Sequence, residues 1–442
     1  MKNKFVVKQM KIQDLVKGTL TPSYITFICV ENKVTGMLYP HPLSNFIKSV
    51  YGRKSSAINT QKSYAEGVKK FLNYILESIE EDETFIDLFD EGISGLRLQH
   101  GADYLSYLTH RVSLGEIKPE RVYEADRILT KFFSWLIEQE WIKEKVRFRE
   151  EIRNIKGKNV TIMISPFDNF ELGTEYPNKR NNKKAKDRRL HDFGNGRLDL
   201  VELFLRVAEL VSPDIALGIA FQFFGGLRKA EVVNLLRSSV KEPKKNGSGE
   251  FTLNIKDNWQ TLFENKKLTV SEQVKKERIQ AVIKVPIVLE LYEKHKEHLS
   301  RLERRGKLKN TNALFCSIHT GKPISGMAYW ERFTNVKEKF LEVLLDYDED
   351  AYKKLTSKAW STHIGRGIFT NMLVFLLGWN VSEVAVARGD SNIQSSQDYI
   401  EEQNVKKRTE EAIEILAAAT RQVENEKYMK IENLREFVDG RL

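Results

Sequence analysis

FFGGLRKAE, residues 223–231, is the stretch on which the reading of the fold turns. An apolar run from Ile215 to Phe224 closes at Gly225-Gly226, and Leu227-Arg228 opens the next helix with Glu231 one turn later. Glycines at such a junction let the backbone turn tightly and present Arg228 outward from a buried element. Arginine suits phosphate because its planar guanidinium is a bidentate fork that stays charged. Taken alone, the same spacing is more often an Arg228–Glu231 pair on a helix surface.

Outward from this stretch the helical period continues. Upstream, from about residue 195, Leu198, Val201, Phe204, Leu205, Ala208 and Leu210 mark a helix. Downstream, KKNGSGE (244–250) signals a turn, FTLNI a strand, and VIKVPI (282–287) a second strand with Pro286 near its end. After the CSIHTGKP loop come helix patterns at Trp330 to Leu345 and His363 to Leu377, a break at GWN, and a short helix at Ser382 to Ala387. Residues 405–442 read as a helical tail of mixed charge.

Toward the N-terminus, Asn59 is placed to cap a helix carrying Tyr64, Val68, Phe71, Leu72, Ile75 and Ile79. Further apolar faces lie at Ala102 to Leu108 and Ala125 to Leu136. One-faced helices must pack on each other, so residues 56–150 are expected to form a small helical domain. Residues 1–55 form an N-terminal extension without a readable role, with a possible strand pair at Tyr24 to Val30 and Val34 to Leu38. Residues 151–194 hold a strand-like piece (Val160 to Ile164) and the basic run NKRNNKKAKDRRL. Such a run is most often a solvated linker; between two lobes it can also track a DNA backbone through Lys179, Arg180, Lys183 and Lys184.

Composition bounds the partners. The 442 residues suffice for two or three domains. Lys and Arg outnumber Asp and Glu by 71 to 61, a net charge of +10, which fits a polyanion and equally a merely basic soluble protein. The two cysteines, Cys29 and Cys316, are far apart and outside any metal-type spacing, against a disulfide framework or a zinc site. The start MKNKFVVKQMKIQDL does not read as a signal peptide, and no run approaches the roughly 18 apolar residues of a membrane span. The expectation is a soluble, cytoplasmic (nucleoid-associated) protein with no membrane partner.

Three more segments can carry chemistry. STHIGRGIF (361–369) sets His363 and Arg366 three apart at a helix start, a weak motif alone that pairs a titratable imidazole with an anion-holding cation. ARGDSNIQSSQDYI (387–400) ends a small-residue loop on Tyr399. A tyrosine of pKa about 10 is a poor nucleophile unless cations or a base activate it, and in isolation would more often be a core anchor. Lys275, Lys276 and Arg278 lie before the second strand, where a lysine can reach a DNA groove and protonate a leaving oxygen, or simply face solvent.

Together these segments resemble the tyrosine recombinase (phage integrase) family, over roughly residues 56 to 410. The family pattern is an Arg in a G-L-R-x-x-E turn, a hairpin Lys, an H-x-x-R helix start, a later His or Trp, and a Tyr nucleophile. Here stand Gly226-Leu227-Arg228 with Glu231, His363 with Arg366, and Tyr399 thirty-three residues beyond Arg366. The FFSWL helix is similar to one in the family's core-binding domain. There are departures: Asp390 after Gly389 holds the place of the later His or Trp, the hairpin gap is long so that Lys275 is chosen over Lys276, and Gly367 replaces a His often found after the second Arg.

The resemblance implies a mainly α chain with a small antiparallel β-sheet (α+β): a helical core-binding domain at 56–150, a basic linker at 151–194, and an integrase-type catalytic domain at 195–410. The two domains would form a C-shaped DNA clamp, with a helical tail at 411–442 exchanged between protomers. It implies site-specific DNA recombination through a 3′-phosphotyrosyl intermediate, for integration or excision of a mobile element. Tyr399 would be the nucleophile, Arg228 and Arg366 the phosphate ligands, His363 the proton-moving group, Lys275 the acid for the 5′-oxygen, and Asp390 a member of the site. Lys276 and the basic run would bind DNA, with no metal and no cofactor. The expected partners are double-stranded DNA with paired recombination sites, a homotetramer on that DNA, and accessory recombination proteins. An idle DNA-binding relative and a type IB topoisomerase are the alternatives.

Overall fold

The computed structural model describes residues 3–16, 18–52, 58–82, 85–146, 148–155, 158–178, 189–194, 197–243, 251–263, 272–390 and 396. Tyr399, the tail from 405, the turn 244–250 and the basic residues Lys179, Arg180, Lys183 and Lys184 lie outside the described residues. The chain divides into two compact units, Met1–Asn182 and Lys183–Leu442. It is mainly helical, with small antiparallel sheets, the class expected from the sequence. Among the described residues no helix is long and apolar enough to cross a membrane.

The first unit opens with a long hairpin, β1 (Asn3–Val16) and β2 (Thr19–Asn32), in the register Val6 opposite Cys29. β3 (Leu38–Pro40) pairs with the other edge of β2. The strand pair read from the sequence is therefore displaced: β2 pairs mainly with β1, and most of residues 33–37 form a turn. Asn32 makes that turn, its side chain accepting from the backbone N–H groups of Val34 and Thr35 at 2.9 and 3.0 Å. After the short α1 (Ser44–Ile47), α2 (Ile58–Glu81) begins one residue before the Asn59 expected to cap it. Asn73 of α2 reads the edge of β1 as a strand would, accepting from the Phe5 N–H at 2.8 Å and donating to its carbonyl at 3.0 Å.

α3 (Asp87–Glu91), α4 (Leu98–Ser113) and α5 (Pro119–Glu138) complete the helices of this unit, and Pro119 starts α5 where a missing N–H costs nothing. Ile28, Leu43 and Phe46 share one core with Phe71 of α2, Leu105 of α4 and Phe132 and Phe133 of α5, so the N-terminal segment packs into the helical bundle. β4 (Glu150–Ile155) and β5 (Lys158–Met163) form a separate hairpin. Phe167 then returns to the core, against Gly101 and Phe133.

The second unit is built round one helix. α6 (Leu198–Val211) has a single apolar face; α7 (Pro213–Gly225) is buried on every side from Asp214 to Gly225, as a helix apolar all round must be. α8 (Lys229–Val233), β6 (Val240–Lys241), β7 (Thr252–Ile255), α9 (Trp259–Leu262) and β8 (Arg278–Ala281) follow, with the three strands in the order β6-β7-β8. VIKVPI is not the second strand. The ladder ends at Ala281, and Pro286 opens α10 (Pro286–Arg304) where the sequence pattern predicts a strand end. Proline favours that first helical position, its ring pre-setting φ. Among the described residues, α11 (Gly326–Tyr347), α12 (Glu349–Thr356), α13 (Ile364–Asn371) with a π-helical turn Met372–Leu376, and α14 (Val381–Ala387) follow. Phe193 sits among Phe204, Phe223, Phe340 and Trp360 at its centre.

Candidate active site

The site assembles where three helix ends and the start of one strand meet. α7 stops at Gly226, whose φ of +64° is the left-handed cap that glycine adopts without penalty. The next turn delivers Arg228, whose own N–H donates to the Glu231 carboxylate at 2.8 Å and whose Nη1 donates to it at 3.0 Å. The surface pair suggested by the spacing is thus an ion pair on a carboxylate whose side chain is 1% exposed. Arg278 heads β8 and grips both oxygens of the same carboxylate, at 2.9 and 3.1 Å. Burial alone would raise the Glu231 pKa, but the Arg278 hydrogen bonds and charge, then Arg228, bring it below its ordinary value.

The second arginine comes from α13. Arg366 is buried; its Nη1 donates to the Gly226 carbonyl at 2.6 Å and its Nη2 to Asp390 Oδ1 at 2.6 Å. The same Oδ1 accepts from Arg228 Nη2 at 3.0 Å. Asp390 reaches this position through the end of α14, where the Gly389 N–H bonds the Val386 carbonyl and the Asp390 N–H the Ala385 carbonyl, a Schellman turn. Arg388, also buried, lies 3.2 Å through Nε from Asp390 Oδ2 and donates through Nη1 to Thr370 Oγ1 at 2.7 Å. Ser396 donates to Asp390 Oδ2 at 3.1 Å.

Among the described residues, four arginines share two carboxylates in a largely buried cluster, a formal excess of positive charge. At an effective dielectric of about 20, two guanidiniums a few ångströms apart repel by a few kcal/mol. Burial, then Arg388 and Arg228, pull the Arg366 pKa below its usual value while Asp390 and Glu231 oppose them, and it stays charged at neutral pH. Such a cluster is completed by an anion with several acceptor oxygens, and a phosphodiester is one.

His363 stands at the exposed start of α13. Partial desolvation of the ring by the packed chain around it, then the charges of Arg366, Arg228, Arg189 and Lys229, lower its pKa from the ordinary 6.5, so the neutral imidazole prevails at neutral pH. The unfolded chain binds this proton at higher pH than the folded one, so stability from this group is lost as pH falls below 6.5. An NMR titration should place the His363 midpoint below 6.5; a midpoint above that value would contradict the placement.

The structure brings Arg228, His363, Arg366 and Asp390 to one place. Lys275 and Lys276 lie on the exposed stretch leading into β8, and it is Arg278, just after them, that enters the cluster. The base of that stretch is pinned by Asp257, which accepts from the Val274 N–H and donates its own N–H to Glu277, both at 3.0 Å. Tyr399 lies outside the described residues. Arg388, Gln280 and Thr370 were not singled out from the sequence. Gln280 accepts from Arg278 Nε at 2.8 Å and donates to the Ala387 carbonyl at 2.7 Å, stitching β8 to α14 across 107 residues, a link that no local spacing encodes. Arg388 had a visible signal, an arginine at a helix end just before Gly389.

Gly367, where the family often has His, is a matter of space. A Cβ there would lie 1.8 Å from the backbone carbonyl oxygen of His191, which no rotamer relieves. Gly367→Ala should lower the unfolding free energy by about 3 kcal/mol or more, measured by denaturant titration, since backbone must move in a packed core.

No family model matches the sequence, and no curated protein matches it. Solved structures similar to the chain include the XerH site-specific recombinase bound to palindromic difH in a post-cleavage complex, at 17% identity over 81% of this chain and 80% of that one, with a TM-score of 0.48. A Tn1549 transposon integrase with a circular intermediate DNA is similar at 15% identity over 84% of this chain and 98% of its own, TM-score 0.47. A lambda integrase dimer bound to a COC′ core site is similar at 9% identity over 85% and 93%, TM-score 0.41. These neighbours are tyrosine recombinases, the family that the sequence motifs resemble.

Proposed function

We propose that this chain cuts and rejoins DNA through a 3′-phosphotyrosyl intermediate, as a site-specific recombinase moving a mobile element. The observation that carries this reading is the arginine cluster: Arg228 and Arg366, from turns 138 residues apart in the chain, converge on one oxygen of Asp390. In the proposed step the Tyr399 oxygen attacks the phosphorus in line, the bond to the 5′-oxygen breaks, and a 3′-phosphotyrosyl ester and a 5′-hydroxyl result. Arg228 and Arg366 neutralise the non-bridging oxygens as charge builds on them. His363, neutral at the outset, moves a proton, and Lys275 supplies one to the departing 5′-oxygen, with Lys276 beside it on the DNA. Because the ester conserves the energy of the broken bond, a second 5′-hydroxyl can reverse the step without a nucleotide cofactor.

The reading extends to paired sites on double-stranded DNA, a tetramer holding them, accessory recombination proteins, and backbone contacts from Lys179, Arg180, Lys183 and Lys184 in a protein that works in the cytoplasm on the nucleoid. The test is a nicked suicide duplex incubated with the full-length chain. A covalent adduct that survives denaturation is expected; no adduct on any duplex the protein binds would favour an idle DNA-binding relative. Product analysis, exchange between two sites against relaxation of a supercoil, then separates a recombinase from a topoisomerase.

A further inference from the structure

We propose that Asp390 is a positioning residue: it holds Arg228 and Arg366 at a spacing that suits two phosphoryl oxygens, and it does so as an anion. This rests on the strand-cleavage reading above. Asp390 Oδ1 accepts from Arg366 Nη2 at 2.6 Å and from Arg228 Nη2 at 3.0 Å, so one atom fixes the separation of two cations that repel each other. Among the described residues the Arg366 guanidinium has one further hydrogen bond, to the Gly226 carbonyl, which orients it but supplies no charge. The carboxylate is itself held from behind. Its Oδ2 meets Arg388 Nε at 3.2 Å and Ser396 Oγ at 3.1 Å, and its backbone is set by the Schellman turn closing α14.

An acceptor is the chemistry this geometry requires. A histidine or tryptophan at this place, as in the family pattern, presents an N–H, and a further donor aimed at two guanidiniums would part them. Asparagine keeps the shape but offers one oxygen, weaker as an acceptor and without the charge that offsets the arginine pair. Asp390 therefore acts on the substrate through the arginines, in place of a direct phosphate contact.

The experiment uses the full-length chain and a nicked suicide duplex, following single-turnover adduct formation, duplex affinity and the melting temperature for each variant. Asp390→Asn should slow adduct formation about 10²-fold, the effect of losing preorganised donors, with duplex Kd within roughly threefold of the unaltered protein. Asp390→Glu should recover part of the rate because it restores the charge and both acceptor atoms. Asp390→His should be as slow as Asp390→Asn. Arg388→Lys, which keeps the charge but loosens the grip on Oδ2, should give a smaller fall with the same unchanged Kd, and covers the case in which Asp390→Asn fails to fold. A folded Asp390→Asn at the unaltered rate overturns the proposal, and so does Asp390→His at or above that rate, which would mark the position as an ordinary phosphate contact. If the unaltered protein itself forms no adduct, the cleavage reading falls. That outcome is distinct from an adduct that forms at equal rate in every Asp390 variant.

Discussion

Tyr399→Phe will leave no covalent protein–DNA adduct on the suicide duplex, while its affinity for the duplex stays within roughly twofold. The substitution removes one oxygen and no charge, so the electrostatic part of binding is untouched. A phenol of pKa about 10 is mostly protonated at neutral pH, and it becomes a useful nucleophile only where cations stabilise the phenolate or a base takes the proton. The arginine cluster and a neutral His363 are groups of the required kind. With phenylalanine there is nothing for them to activate. An adduct that persisted in Tyr399→Phe would move the nucleophile to another residue, and one that vanished along with duplex binding would assign Tyr399 to packing.

Arg366→Ala should reduce adduct formation by about 10³-fold, at the upper end for removal of a single preorganised donor. Two contacts go at once, the Gly226 carbonyl and Asp390 Oδ1. The stability effect is expected to be smaller than for an ordinary buried ion pair. Removing one partner of such a pair commonly costs about 3–5 kcal/mol, but here Asp390 keeps Arg228 and Arg388, and the repulsion among the arginines falls. A loss of roughly 1–3 kcal/mol in denaturant titration follows. Arg366→Lys should not rescue the rate, because one ammonium cannot span both acceptors in a plane. A Lys variant with near-normal rate would show that charge alone matters at this position.

The helical class of the chain was legible in the sequence because each helix carries a regular apolar face: Tyr64 to Ile75 for α2, Leu198 to Ala208 for α6, and the all-apolar run for α7. What misled was punctuation. Pro286 marks a strand end and a helix start with equal right, and it is a distant partner, the carbonyl of Phe224 in α7 accepting from the Ile283 N–H at 2.8 Å, that takes the chain away from the sheet there. β1 was hidden because its lysines interrupt the alternation that marks a strand. Of the candidate site, the motif positions Arg228, His363, Arg366 and Asp390 could be named from spacing and resemblance. Their connectivity could not. That Glu231 serves two arginines and Asp390 three is a property of side chains drawn together from points up to 162 residues apart.

The His191 carbonyl pressed against Gly367 couples two distant stretches of the chain sterically. Any side chain at 367 requires residues 189–193 to take another path, yet Leu190 and Phe193 are core residues and the Leu190 N–H is bonded to the Ala359 carbonyl at 3.1 Å. Neither stretch can change first without passing through a poorly folded intermediate. A side chain at 367 therefore needs a new path for 189–193 at the same time, and exchanging the two stretches as a pair should preserve a fold that exchanging either one destroys. The helix that bears Arg366 is, in this sense, tied to the irregular stretch beneath it.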